Sequence, residues 1–92
     1  MIQTFKKKEL EKLLRENTNK GIAKELEKKL RIRLEVIDSA LVIDEIRLPG
    51  YDLHELQGDR KGTWSIKVSG NWRLTFRFED GEVYDLDLED YH

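Results

Sequence analysis

The chain has 92 residues, 38% of them hydrophobic and 39% charged, with a formal net charge of −2 and no cysteine. At this length about 60–65% of the unfolded chain's surface can be buried, enough for one modest core, and the absence of cysteine excludes disulfides, a thiol nucleophile and thiolate metal sites. No stretch approaches the ~20 apolar residues of a membrane span, and the opening M-I-Q-T-F-K-K-K has no signal-peptide core, so a single cytoplasmic domain is expected.

The small net charge conceals a strong asymmetry. Residues 1–34 carry eleven Lys/Arg and five Asp/Glu, residues 35–50 one and four, residues 51–77 five and three, and residues 78–92 none and seven. Screening confines each patch to a neighbourhood of about 10 Å. A basic body can therefore still meet a polyanion despite an acidic C-terminal hairpin. The Lys/Glu-rich helix faces themselves read as solvated surface.

In chain order, Ile2 to Phe5 alternates like an edge strand. Residues 6–16 place Leu10, Leu13 and Leu14 on one helical stripe, and N-T-N-K-G over 17–21 breaks it. Ile22, Leu26, Leu30, Leu34 and Ile37 predict a second helix over 22–39. Ile32 and Val36 lie off this stripe and either widen the buried face or form a partner-binding patch, the first being favoured because small domains need wide stripes. Residues 41–48 fit either a helical turn or two or an extended connection, closed by Pro49-Gly50. Tyr51 to Leu56, Thr63 to Val68, Trp72 to Phe78 and Glu82 to Leu88 alternate as strands. Gly58–Gly62, Ser69–Asn71 and Asp80-Gly81 separate the last three and the loop before them. The order β-α-α-β-β-β-β predicts an α+β fold, with two N-terminal helices packed on one face of an antiparallel sheet.

Alternation then divides the sheet. If Trp64, Ile66, Val68, Trp72, Leu74, Phe76, Phe78, Tyr84, Leu86 and Leu88 pack under the helices, the other face carries Thr63, Ser65, Lys67, Arg73, Thr75, Arg77, Val83, Asp85 and Asp87. His54 joins this face if Leu53 is buried. Arginine here suits phosphate, because its planar fork holds two oxygens and keeps its charge. An ordinary wet sheet face, with Arg73 paired to Asp85 or Asp87, is the other reading. Cutting RNA at a 2′-hydroxyl needs a base, an acid and positive charge at the phosphate, and histidine near neutrality serves in either proton role. His54, Asp90, Tyr91 and His92 are the candidate proton-transfer groups and Arg73 the candidate cation. Two histidines among separated carboxylates make a weak zinc argument, and no metal or other cofactor is expected.

The blocks L-H-x-L-x-G-D-R-x-G-x-W-S-I and N-W-R-L-T-F-R-F, then the C-terminal E-D-Y-H, occur in order and resemble the HigB branch of the RelE/ParE toxin superfamily. The likeness covers the whole chain, from the M-I-x-x-F-K opening onward. It implies a microbial-RNase-like sheet with two N-terminal helices. It also implies a type II toxin with a HigA-like helix-turn-helix antitoxin as partner. Such a toxin enters the ribosomal A site and cuts messenger RNA by 2′-hydroxyl attack, leaving a cyclic phosphate. On this likeness His54, Asp90, Tyr91 and His92 match positions needed for cleavage, and Asn71 and Arg73 match the N-W-R block, its arginine steadying the phosphate. Arg60 and Lys61 fall in a loop that meets ribosomal RNA, while Lys67 and Arg77 add cations to the same face. Trp64 and Trp72 match family aromatics, for which burial is favoured over stacking on a base.

Two departures stand out. The family usually has lysine where this chain has Gln57, and often proline where it has Glu55, so a cation is lost and an acid is added beside His54. ParE-like relatives share the fold and bind DNA gyrase without proton transfer, and a non-catalytic protein that binds only an antitoxin is a further alternative. The histidines and the terminal D-Y-H favour the nuclease.

Overall fold

The computed structural model describes residues 1–91. Leucines three and four apart decide both helices. Helix α1 (Lys8–Arg15) buries Leu10 and Leu13, and α2 (Lys24–Ser39) buries Leu26, Leu30, Leu34 and Ile37. α1 starts two residues later than its sequence pattern suggests, because Lys6 is still tied to the sheet, its amide donating to the Leu86 carbonyl at 2.8 Å. Asn17, with φ 56°, ends the first helix in the left-handed conformation that asparagine tolerates. Val36 does widen the buried face of α2. Ile32 does not, and half of its surface is in solvent (50%). The ambiguous 41–48 segment forms a short 3-10 turn, Ile43–Ile46, which buries Ile46. The Glu45 carboxylate reaches back to the amides of Leu41 (2.6 Å) and Val42 (3.2 Å) and fixes its start.

Four strands follow as an antiparallel meander: β1 (His54–Glu55), β2 (Thr63–Ser69), β3 (Trp72–Glu79) and β4 (Glu82–Asp90), in that spatial order. The predicted 51–56 strand shrinks to two residues because Asp52 sits at φ 48°, off the extended path. Its alternation survives, with Tyr51 and Leu53 buried and Asp52 and His54 exposed. The expected N-terminal strand is reduced to two isolated parallel bridges against β4, Ile2 to Val83 and Phe5 to Leu86. Ile66, Val68, Leu74, Phe76, Val83 and Leu86 supply the sheet's share of the core beneath the helices. Trp64 and Trp72 are half-buried and pack against that core.

The register of β4 corrects the sequence reading at two positions. Thr75 pairs with Asp87 but Arg77 pairs with Tyr84, so β4 holds one extra residue in between. That residue is accommodated by a bulge in which Asp85 takes φ 56° and turns its amide to the Thr4 hydroxyl (2.7 Å). Parity flips on the hairpin side of the bulge. Val83, expected on the open face, is fully buried, whereas Tyr84, expected in the core, lies beside Arg77, whose guanidinium carbon stands 5.4 Å from the ring centroid.

Candidate active site

The site is built on the face of the sheet turned away from the helices. Its floor is Ser65 and Thr75, paired across β2 and β3. Both were expected to face solvent and both are buried, at 0% and 2% exposure. They are covered by longer side chains that use their hydroxyls. The Nε–H of Arg73 donates to Ser65 Oγ, and Thr75 Oγ1 donates to the Glu89 carboxylate at 2.5 Å. Two clusters rise from this floor.

The first joins β1 to β3. Arg73 Nη2 donates to the backbone carbonyl of Asp52 at 2.7 Å and lies 3.4 Å from the Ser65 carbonyl, while Nη1 meets the Asp52 carboxylate at 3.2 Å. The imidazole Nδ1 of His54 stands 3.2 Å from the same Asp52 carbonyl and 3.4 Å from Arg73 Nη2. A carbonyl only accepts, and a guanidinium only donates. The two neighbours make opposite demands on Nδ1, and in the neutral ring the shorter contact, to the Asp52 carbonyl, favours the proton on Nδ1 and the lone pair on Nε2. Arg73 is nearly enclosed, its side chain 12% exposed. Its partner is Asp52, not Asp85 or Asp87. Asp87 is held instead by Lys7, at 2.9 Å.

The second cluster joins the loop before β2 to the end of β4. Arg60 Nη1 donates to Glu89 Oε1 at 2.9 Å, Nη2 binds Oε2, and Nη1 lies 3.5 Å from the Tyr91 hydroxyl. Hydrogen bonds from Arg60 and then Thr75 hold the Glu89 carboxyl below the usual carboxylate range against the opposing effect of burial. Glu89 in turn raises the Arg60 pKa. Tyr91 is tied to the β2–β3 turn, its amide donating to the Asn71 carbonyl at 2.8 Å.

The remaining expected residues divide. Lys61, Lys67 and Asn71 are exposed along the rim. Arg77 is held by Asp85 and Glu79, which keeps its pKa raised, Asp85 being the larger cause. Asp90 stands opposite Trp72 in the ladder, one residue out of phase with Glu89, which stands opposite Arg73. His92 lies outside the described residues. Glu55, the added acid, turns to the loop and accepts the Gly62 amide at 2.8 Å. Asp52 and Glu89 are acidic residues of the site that the sequence reading gave no role. Extending the series Val83, Asp85, Asp87 by one more step reaches Glu89.

A two-helix layer on an antiparallel meander, with arginine, histidine and tyrosine on the sheet's outer face, defines a small α+β protein of the RelE-like kind. Residues 3–92 match the HigB-like toxin family, described as the RelE-like toxin of the type II toxin-antitoxin system HigB. The chain is 44% identical over 92 residues, spanning all of both proteins, to one named Endoribonuclease HigB from Proteus vulgaris. It is 32% identical over 91 residues, covering 97% of this chain and 96% of the relative, to Toxin HigB-1 of Vibrio cholerae serotype O1 (strain ATCC 39315 / El Tor Inaba N16961). The chain belongs to the HigB family of RelE-like toxins, and an antitoxin partner follows from that membership. Among the described residues no helix is long and apolar enough to cross a membrane.

Proposed function

We propose that the chain is an endoribonuclease that cuts messenger RNA in the ribosomal A site and so halts translation. The observation that carries this reading is the meeting of His54 and Arg73 around one backbone carbonyl, 3.2 and 2.7 Å away, which sets a proton acceptor beside a permanent cation. The name of the Proteus vulgaris relative, an endoribonuclease, supports the same chemistry.

In this mechanism His54 Nε2 takes the proton of the 2′-hydroxyl. The 2′-oxygen bonds to phosphorus, the bond to the 5′-oxygen breaks, and that oxygen receives a proton from one of the C-terminal residues Tyr91 and His92, while Asp90, on the opposite phase of β4, does not reach the reacting atoms. The product is a cyclic phosphate, and no cofactor takes part. Among contacts of the described residues, one N–H on Arg73 Nη1 remains for a phosphate oxygen. Lys61, Lys67 and Asn71 on the rim, with Arg77 beyond them, supply sequence-independent contacts to RNA.

Purified protein is incubated with ribosomes carrying a defined message, and the message ends are mapped. Cuts within the codon occupying the A site are expected, and His54→Ala should slow them by about 10²–10⁴-fold, the range for losing an acid or base. A variant that cuts at the parent's rate removes His54 from the mechanism. A parent that leaves the message intact removes the activity, and the chain would then act by binding alone.

A further inference from the structure

We infer that Arg60 is a positioning residue for the phenol of Tyr91, held in place by Glu89, and is not itself an RNA contact. The inference rests on the proposed reaction, in which the C-terminal residues supply a proton.

The argument begins with what holds what. Thr75 is a buried residue of β3, and its hydroxyl orients the Glu89 carboxylate. Glu89 presents both oxygens to the guanidinium of Arg60, the two-pronged geometry that fixes an arginine in plane. The outer edge of that guanidinium, Nη1, then faces the Tyr91 hydroxyl. Tyr91 lies one residue beyond the last residue of β4 and has a backbone hydrogen bond to Asn71. That bond fixes its amide and leaves the side chain to be placed by its neighbours. The loop that carries Arg60 is set from below by the Gly62 amide on Glu55 and the Leu56 amide on the Thr63 carbonyl (2.8 Å). The relay thus runs from a rigid strand through two charged groups to the phenol.

An RNA-contact role for Arg60 would require a phosphate to displace a carboxylate that already engages two of its nitrogens. The two readings predict different outcomes for one substitution. Glu89→Gln weakens the fork and loosens Arg60. If Arg60 met RNA, that change would free a cation and tighten binding. If Arg60 places Tyr91, the same change leaves binding alone and slows the chemistry.

Cleavage of ribosome-bound message is measured as separate kcat and KM for the parent, Arg60→Gln, Arg60→Lys and Glu89→Gln at several salt concentrations. Positioning predicts that kcat falls about 10- to 100-fold in Arg60→Gln and Glu89→Gln, the loss typical of a displaced reacting group, with KM and its salt slope unchanged. Lysine should not rescue, because a point charge cannot span both oxygens of Glu89 and reach the phenol. A raised KM with a salt slope reduced by about one in Arg60→Gln, or a lowered KM in Glu89→Gln, would overturn the inference. Ring signals of Tyr91, read by NMR on tyrosine-labelled protein, provide a readout independent of activity. They should shift in both Arg60→Gln and Glu89→Gln while those of Tyr51 and Tyr84 stay put. An unmoved Tyr91 ring overturns the inference even if the kinetics conform. A parent that fails to cut the message defeats the proposed reaction, and the ring signals still decide whether Arg60 holds the phenol.

Discussion

Two arginine–carboxylate forks, at opposite ends of the chain's path, are nearly alike in exposure and differ in what hangs from them. Arg15 grips Asp38 at 2.8 and 2.9 Å with side chains 35% and 20% exposed, and Arg60 grips Glu89 with side chains 42% and 24% exposed. The third member of the first fork is backbone. The Ile2 amide donates to Asp38 at 2.8 Å, and the Ile2 carbonyl accepts from Arg15 at 3.2 Å. Ile2 is a core residue bridged to Val83. The second fork rests on the Thr75 hydroxyl beneath Glu89, and the member beyond it, on the Arg60 side, is the Tyr91 hydroxyl. The same ion pair therefore serves folding where it closes on a buried amide, and serves a surface site where it closes on a side chain beyond the sheet. An ion pair's worth lies in the third group that it orders.

The largest separation should come from Asp38→Ala. It strands the Ile2 amide and the Arg15 guanidinium together, so a loss of about 2–3 kcal/mol is expected. In a domain of this size that lowers Tm by roughly 10–20 °C, while cleavage per folded molecule at low temperature stays within about twofold. Glu89→Ala should lose less, about 1–2 kcal/mol, most of it from leaving the buried Thr75 hydroxyl without its acceptor. Equal melting losses would erase the distinction between the two forks. Acid sharpens it further. Asp38 is held below its usual pKa mainly by its hydrogen bond from Arg15, and Glu89 mainly by its hydrogen bond from Arg60. Each binds its proton more weakly folded than unfolded, so its contribution is complete above the ordinary carboxylate range near pH 4. It is lost as pH falls through the lower folded value. Denaturant midpoints should be flat from about pH 7 to 5 and fall below about 4, with Asp38→Asn flattening the fall more than Glu89→Gln.

Ser65→Ala should have a middling effect on both measures. It removes the Nε acceptor of Arg73 and leaves a nearly enclosed N–H unpaired, for a loss of about 1–2 kcal/mol. Arg73 also touches the Asp52 carbonyl that orients His54, so cleavage should fall by about tenfold. A stable Ser65→Ala protein with parental cleavage would show that Arg73 is placed by Asp52 alone.

What the sequence made legible is local. The leucine stripes named the buried faces of both helices, and Asp80-Gly81 marked the hairpin, both residues having positive φ (50° and 80°). The alternation that put His54, Ser65, Arg73 and Thr75 on one face was legible for the same reason. The bulge was not legible, because the left-handed Asp85 is stabilised by the Thr4 hydroxyl, a partner far away along the chain. Before that pairing is known, Asp85 reads as any polar residue on an open face. The burial of Ser65 and Thr75 was hidden likewise, because it comes from side chains lying across the sheet. Glu89 could have been found by carrying the period of β4 to its end.

Glu55 gives the smallest expected effect and tests the comparison at its root. Its carboxylate holds the Gly62 amide at 2.8 Å, and Gly62, at φ 96°, closes the loop that carries Arg60. Glu55→Ala should lose about 0.5–1 kcal/mol, and Glu55→Gln, which keeps an acceptor oxygen, only a few tenths. If the Arg60 fork places a side chain for chemistry, loosening its loop should lower kcat by about two- to fivefold in Glu55→Ala, an effect absent once Arg60 is already glutamine. The double variant decides this. Losses that multiply would mean that Glu55 acts on the site by another route, because two residues in one chain of contacts cannot be broken independently.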